Sequence, residues 1–315
     1  QAFIDCFDLD SVAGNLSKAG WQGREKLSHW ASELAANGQL DALNTGLASA
    51  FATNNEGVPK VKAGTNSPDS LLPDANDTLQ DLKRYLLLGL DGNDYLMGGQ
   101  ADDILNGGAG NDFLSGGSGN DVYSFGRGGG QDRLDNMDWG TSKVDAIQFG
   151  SDIAVSDVQL LRRDDDLVLS LVGTSDSVTV SAYFQSDAAG PYRLEEIRFA
   201  DGAVWSIDTV KARVHQPTSG NDRLIGYAVA DTIRGGDGND NINGNAGDDL
   251  LYGDAGNDTL YGSNGVDRLD GGDGADTLYG DSGDDTLNGG AGSDFLSGGS
   301  GNDVYSFGRG GGQDR

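Results

Sequence analysis

The chain has 315 residues, among them 52 glycines and a single cysteine, and a formal net charge of −29. Such acidity excludes a nucleic-acid surface, which needs a basic face. Cys6 alone cannot form an intramolecular disulfide, and no apolar run reaches the roughly 20 residues of a membrane-spanning helix.

Residues 1–73 predict a helical lead-in and a linker. Trp21, Leu27, Trp30 and Leu34 fall on one helical face, Leu40, Leu43, Leu47 and Phe51 repeat the spacing, and Asn37-Gly38 is a helix stop between them. The stripe reads as the core of a helical hairpin rather than a remnant of an enzymatic domain, and His29 stands outside any HExxH spacing. From Asn54 to Pro73 the chain is polar and proline-containing, which reads as a linker. Residues 74–88 admit two readings. Asp77-Thr78-Leu79 looks like a piece of the repeat that follows, one residue out of frame, while Leu79, Leu82 and Leu86 fit a helical turn.

A first repeat array is assigned to residues 74–125, with four clear nonapeptides from Gly89 to Ser124 and Asp94, Asp103, Asp112 and Asp121 at their sixth position. Residues 126–215 change to period-two alternation: Ile147 and Phe149; Leu167, Leu169 and Leu171; Val178, Val180, Ala182 and Phe184; Ile197 and Phe199. With turn signals at Asp164-Asp165-Asp166 and Asp201-Gly202, this predicts a small antiparallel β module, followed by a short helix near Ile207 to Val214. The acidic triplet reads as a solvated hairpin tip, with metal binding as the alternative. A second array spans 216–308, with ten nonapeptides over 217–306. Its sixth position is Asp222, Asp231, Asp240, Asp249, Asp258, Asp267, Asp276, Asp285, Asp294 and Asp303. Residues 104–133 and 286–315 agree except at Ile104/Thr286 and Asn111/Ser293, so 309–315 reads as the start of another β module in a longer tandem protein.

Each nonapeptide joins a turn half, G-G-x-G-x-D, to a strand half whose middle residue is apolar. The glycines supply backbone angles that a Cβ resists. So short a strand buries almost nothing alone, and stacking makes the core. Two units form one coil of 18 residues. Sixth-position carboxylates on one side then stack about 4.8 Å apart, the strand spacing. Like charges that close repel unless cations lie between them. Carboxylate and carbonyl oxygens in a pliable turn suit Ca²⁺ better than Zn²⁺ or Mg²⁺. Without metal such acidic arrays suit disorder; with metal the strict register predicts a fold.

The nonapeptides, the VYSFGRGGGQDR joint at 122–133 and 304–315, and the β module resemble RTX proteins carrying the haemolysin-type calcium-binding related domain. The order of parts resembles the iron-regulated, clip-and-link RTX proteins of Neisseria and other Gram-negative bacteria. The resemblance implies a mainly β chain: two parallel β-rolls separated by the antiparallel β module, with a helical segment before them. It implies type I secretion and calcium-induced folding outside the cell. Clip-and-link members also cleave an Asp-Pro bond, but the five prolines here follow Val58, Ser67, Leu72, Gly190 and Gln216.

Carried over from the RTX roll, one calcium site would use Gly236, Gly238 and Asp240 with Gly253, Ala255 and Asp258. Further sites on that side would use Asp276 and Asp294, with Asp222 below; the opposite side would use Asp249, Asp267, Asp285 and Asp303. Asp94, Asp103, Asp112 and Asp121 would serve the first array. The gaps between stacked turns give roughly ten ions. Val229, in place of the fourth glycine, implies a weak or empty Asp231–Asp249 site, and Ala101 raises a milder objection at Asp103–Asp121. The function expected is a calcium-binding, calcium-folded module of a secreted RTX toxin or exoprotein, handled by the type I secretion machinery. The rivals are an adhesion or partner-binding region and the C-terminal part of a secreted hydrolase. With no GxSxG, no HExxH and only His29 and His215, the chain is not expected to carry an enzyme centre.

Overall fold

The structure, a computed structural model, describes residues 60–73, 84–307 and 312–315. The helical hairpin expected before residue 60, with Cys6 and His29, and the Asp77-Thr78-Leu79 fragment lie outside the described residues. The chain divides into two compact units, residues 1–207 and 208–315. It is mainly β; no helix among the described residues is long and apolar enough to cross a membrane.

The first unit is built on two seven-stranded sheets. One runs through Lys60–Ala63, Tyr85–Asp91, Ile104–Ala109, Val122–Phe125, Ala146–Phe149, Glu196–Arg198 and Val204–Ser206. The other runs through Val158–Arg163, Asp166–Leu171, Ser177–Val180, Gln131–Leu134, Phe113–Gly117, Tyr95–Gly99 and Ser70–Leu71. Within the roll every pairing is parallel, because each coil adds one strand to each sheet in the same direction. Leu87, Leu96, Leu105, Leu114, Tyr123 and Leu134 fill the space between the sheets and are fully buried. Each strand contributes one such residue, so the core exists only as a stack.

One expectation requires correction here, and one of the two readings of residues 74–88 falls away. Residues 60–73 are not linker: Gly64–Leu72 forms a repeat turn, with Ser70 and Leu71 paired in parallel to Tyr95 and Leu96 and the Asp69 N–H donating to Asp94 Oδ1 at 2.8 Å. Leu86 is not in a helical turn but in the strand Tyr85–Asp91, where Leu86, Leu87 and Leu88 are all buried. A strand enclosed on both faces reads as a continuous apolar run, which periodicity alone does not separate from a helix.

The β module contains three antiparallel pairings, one of them between Asp166–Leu171 and Ser177–Val180. Val158–Arg163 pairs with Asp166–Leu171 around an exposed Asp164-Asp165 tip, and Glu196–Arg198 pairs with Val204–Ser206 around Asp201-Gly202. Its junctions with the roll are parallel: Ala146–Phe149 pairs with Val122–Phe125 and with Glu196–Arg198, and Ser177–Val180 pairs with Gln131–Leu134. The module therefore extends both sheets of the roll and covers its end, as a solenoid requires. Phe149, Phe199 and Trp205 pack together in its core: Phe149 and Phe199 are tilted with ring centroids 5.4 Å apart, and Phe199 and Trp205 meet edge to face at 4.8 Å.

The second unit opens with the helix Ile207–Val214, which buries Val210 and Val214. Two five-stranded parallel sheets follow. Their core is one column: Leu224, Ile233, Ile242, Leu251, Leu260, Leu269, Leu278 and Leu287, with Leu296 packed against it. Tyr227 stands over the first coil, its ring taking the Lys211 ammonium at 4.3 Å and packing beside His215.

Candidate metal columns

The sharp turn of each nonapeptide sets the site. In the regular units its second residue adopts a left-handed φ whatever its identity, +91° at Gly236, +69° at Asp254, +75° at Ser263 and +80° at Leu90, whereas Thr218 and Tyr227 at the same place do not. Where the fourth residue is a glycine inside the stack it goes further, to +137° at Gly256 and +144° at Gly274, a region open in practice to glycine alone, while Ala101 and Val229 at that place stay outside the left-handed range. Coils also approach too closely for a side chain: a Cβ on Gly274 would stand 1.6 Å from the Gly256 carbonyl oxygen.

Two backbone hydrogen bonds lock each turn to the next coil. The Gly256 N–H donates to Asp273 O at 2.8 Å, and the Thr277 N–H to Asp258 O at 2.8 Å. The sixth-position aspartate adds a third. Asp258 Oδ1 accepts the Asp240 N–H, Asp276 Oδ1 accepts that of Asp258, and Asp294 Oδ1 that of Asp276, at 2.8–2.9 Å. The same ladder runs Asp231–Asp249–Asp267–Asp285–Asp303 on the opposite side and through Asp94–Asp112 and Asp103–Asp121 in the first unit.

The ladder uses only one carboxylate oxygen. Oδ2 of Asp94, Asp103, Asp112, Asp121, Asp240, Asp249, Asp258, Asp267, Asp276, Asp285 and Asp294 is buried without a hydrogen-bond partner. A buried, unpaired carboxylate oxygen costs about 1–3 kcal/mol or more, and native proteins seldom hold one, let alone a column. Burial pushes these carboxyls up, with neighbouring carboxylates adding to the rise and the ladder N–H opposing it. Asp103 and Asp249 reach about 7, Asp121 about 8, and Asp267 and Asp276 about 6.

The orphan oxygens point to a cation. A Cβ built on Gly253 would lie 2.3 Å from Asp258 Oδ2 and 2.4 Å from the Gly271 carbonyl, so oxygens from adjacent coils converge where glycine leaves room. Among the described residues no three His, Cys, Asp or Glu side chains cluster. The donors are therefore isolated carboxylates combined with backbone carbonyls, the hard oxygen set that calcium prefers. The residues fit that ion.

Family comparisons agree. "RTX calcium-binding nonapeptide repeat (4 copies)" matches residues 88–123, 217–251, 243–278 and 279–313, and "Haemolysin-type calcium binding protein related domain" matches 166–209. The chain therefore carries RTX calcium-binding nonapeptide repeats over both rolls. One curated relative is the "Iron-regulated protein FrpA" of Neisseria meningitidis serogroup C, 45% identical over 113 residues, which is 36% of this chain and 10% of that relative. The chain thus spans a small part of the length of the relative it matches. Among solved structures, the extracellular lipase LipA from Serratia marcescens aligns with 72% of this chain and 31% of its own, at 17% identity and a TM-score of 0.25.

Asp240 and Asp258 stand on successive coils, with the Gly238 N–H on the Ala255 carbonyl at 2.8 Å, Gly236 paired with Asp254, and Gly253 beside Asp258. Asp222 differs: its Oδ2 accepts the Thr218 N–H at 2.7 Å. Asp231 differs likewise, with Oδ2 accepting the Tyr227 N–H at 2.6 Å. Asp103 keeps its orphan oxygen despite Ala101, and Asp303, half-buried at the last full turn, still accepts the Asp285 N–H.

Sequence reasoning missed several members of the ladder. Asp69 lies below Asp94, Asp132 above Asp112, Asp145 above Asp121 and Asp314 above Asp294. It also missed an outer ladder at the fifth position, where the Asn239 N–H donates to Asn221 Oδ1 and the Asn257 N–H to Asn239 Oδ1. The recurrence of Asn or Asp just before the invariant aspartate was the available signal.

Proposed function

We propose that this chain is the calcium-coupled folding part of a secreted RTX exoprotein, exported unfolded through a type I system of a Gram-negative bacterium. RTX repeats bind calcium. The observation that carries it is the column of buried Asp Oδ2 atoms without partners. Bound calcium supplies the positive charge those oxygens lack.

The chain's own residues do the rest. From Asp240 to Asp294, Oδ1 of each sixth-position aspartate ties its coil to the one before, while Oδ2 has no protein partner. The glycines hold carbonyls of successive turns within reach of the gap between those turns. These donors meet only in the coil, so ion binding and folding are one event. Adjacent gaps share an aspartate, which makes filling cooperative. Calcium modules of extracellular proteins work at around 10⁻⁴–10⁻³ M, above cytosolic levels, so the chain stays threadable inside and folds outside. The Asp231–Asp249 gap, with Tyr227 already on Asp231, binds weakly or not at all.

Isothermal calorimetry with circular dichroism tests this reading. A single cooperative transition with roughly ten ions bound supports it. Independent sites filling without gain of structure contradict it.

A further inference from the structure

Both columns of the first roll run past their last nonapeptide into the β module, and they end differently. The Asp103–Asp121 column ends on Asp145, whose Oδ1 takes the Asp121 N–H at 2.8 Å. Asp145 Oδ2 receives the buried Lys143 ammonium at 2.8 Å and the Asn136 amide at 2.9 Å. The protein supplies its own cation there.

The Asp94–Asp112 column ends on Asp132, twenty residues beyond Asp112 rather than eighteen. This step lies outside the matched repeats, the nearest of which stops at residue 123. Gly128 and Gly130 nevertheless adopt φ of +82° and +86°, and the Gly110 N–H donates to Gly129 O at 3.0 Å, so a further turn is stacked on the roll. Asp132 Oδ1 accepts the Asp112 N–H at 2.9 Å. Asp112 is buried and its Oδ2 has no partner. Among the described residues no lysine or arginine forms an ion pair with Asp132. The neighbouring Asp176 carboxylate is held on the Gly128 and Gly130 N–H groups.

Three oxygens surround one small space at this joint. A Cβ added to Gly129 would stand 3.3 Å from Gly126 O, 3.5 Å from Gly108 O and 3.6 Å from Asp132 Oδ2. The space opens into a cavity lined by Gly126, Gly129, Asp132 and Asp176, with apolar walls that include Phe149 and Leu169. Gly108 belongs to the turn of Asp112, so donors from two successive turns face one another, as in the repeat columns.

We propose that a calcium-sized divalent cation binds where the first roll meets the β module, held by Asp112, Asp132 and the carbonyls of Gly108 and Gly126. The site fastens the module to the roll on the side where no lysine does so. It rests on the calcium reading above but uses residues outside the nonapeptide frame.

Native mass spectrometry of the full chain in calcium resolves single bound ions, and Asp132→Asn and Gly129→Ala are compared with wild type. Gly129 has a φ outside the left-handed range, so alanine is tolerated by the backbone while its methyl occupies the space between the oxygens. The expected result is one calcium fewer in each variant, with an unchanged far-UV spectrum for Gly129→Ala. If Asp132→Asn does not fold, Gly129→Ala decides. Equal ion counts in wild type and Gly129→Ala overturn the junction site and leave the folding reading standing. A wild-type chain that binds no calcium overturns both.

Discussion

At the fourth position of the repeat, one letter carries two different constraints. Gly274 sits at φ +144° with the neighbouring coil's carbonyl 1.6 Å from where a Cβ would be. Gly220 holds the same place in the first nonapeptide, but its φ is outside the left-handed range and the nearest atom to a Cβ is Thr218 Oγ1 at 3.8 Å. Gly274→Ala should lose about 1–3 kcal/mol from backbone strain alone, and more from forcing the coils apart. Gly220→Ala should stay within about 0.5 kcal/mol of wild type. Denaturant unfolding in saturating calcium separates the two. The aspartates make a different prediction. Asp258→Asn removes a charge from the column while an amide oxygen can keep the ladder bond to the Asp240 N–H. The calcium midpoint should rise about tenfold, near 1.4 kcal/mol, while the chain in chelator is no less stable than wild type. A loss of stability in chelator equal to that in calcium would mean that Asp258 acts only as a hydrogen-bond acceptor.

Each strand of a roll contributes one inward residue, so the column is only as good as its neighbours. Leu260→Ala, at a fully buried position between Ile242 and Leu278, should cost about 2–5 kcal/mol in calcium; Val266→Ala, at an exposed turn, should cost less than about 0.5 kcal/mol. Thermal unfolding of the calcium-loaded chain measures both. Column ends are finished by protein donors: Thr65 on Asp69, Thr218 on Asp222, Tyr227 on Asp231 and Lys143 on Asp145. These ends were the part hidden from the sequence. Where Gly, Gly and Asp recur at fixed spacing, as from Gly235 to Asp303, period alone specifies the turn, the strand and the carboxylate. Gly64–Leu72 keeps only its first glycine, its aspartate and its leucine, and it stands 25 residues from the turn it stacks on, not 18. Asp132 is displaced by two residues in the same way. A fixed-period reading passes over both, because loop length changes the sequence interval without changing the stacked geometry. The β module's hairpins were legible from alternation and turn residues. Its parallel junctions were not, since Ala146–Phe149 is buried at all four positions and shows no alternation.

For the whole molecule, a net charge of −29 and columns of buried carboxylates make folding depend on solution conditions. In chelator, the folded-state carboxyls of Asp103, Asp121, Asp249, Asp267 and Asp276 titrate at about 6–8, above the ordinary 3.8. The folded chain therefore holds more protons than the unfolded chain between those limits. Its stability is greatest below about pH 4 and is lost as the pH rises through 6 to 8. Acidifying the metal-free chain from pH 8 toward pH 4 should thus raise its β content, which far-UV circular dichroism follows; a metal-free spectrum independent of pH would show that the columns do not control the fold. The central claim, that calcium binding and folding are one event, is tested most directly by the same spectroscopy at neutral pH, in chelator and then in millimolar calcium, with magnesium as control. The account predicts a coil spectrum in chelator and in magnesium, and a cooperative change to β structure with calcium alone. A chain already folded in chelator at neutral pH, with a spectrum that calcium does not alter, would contradict it.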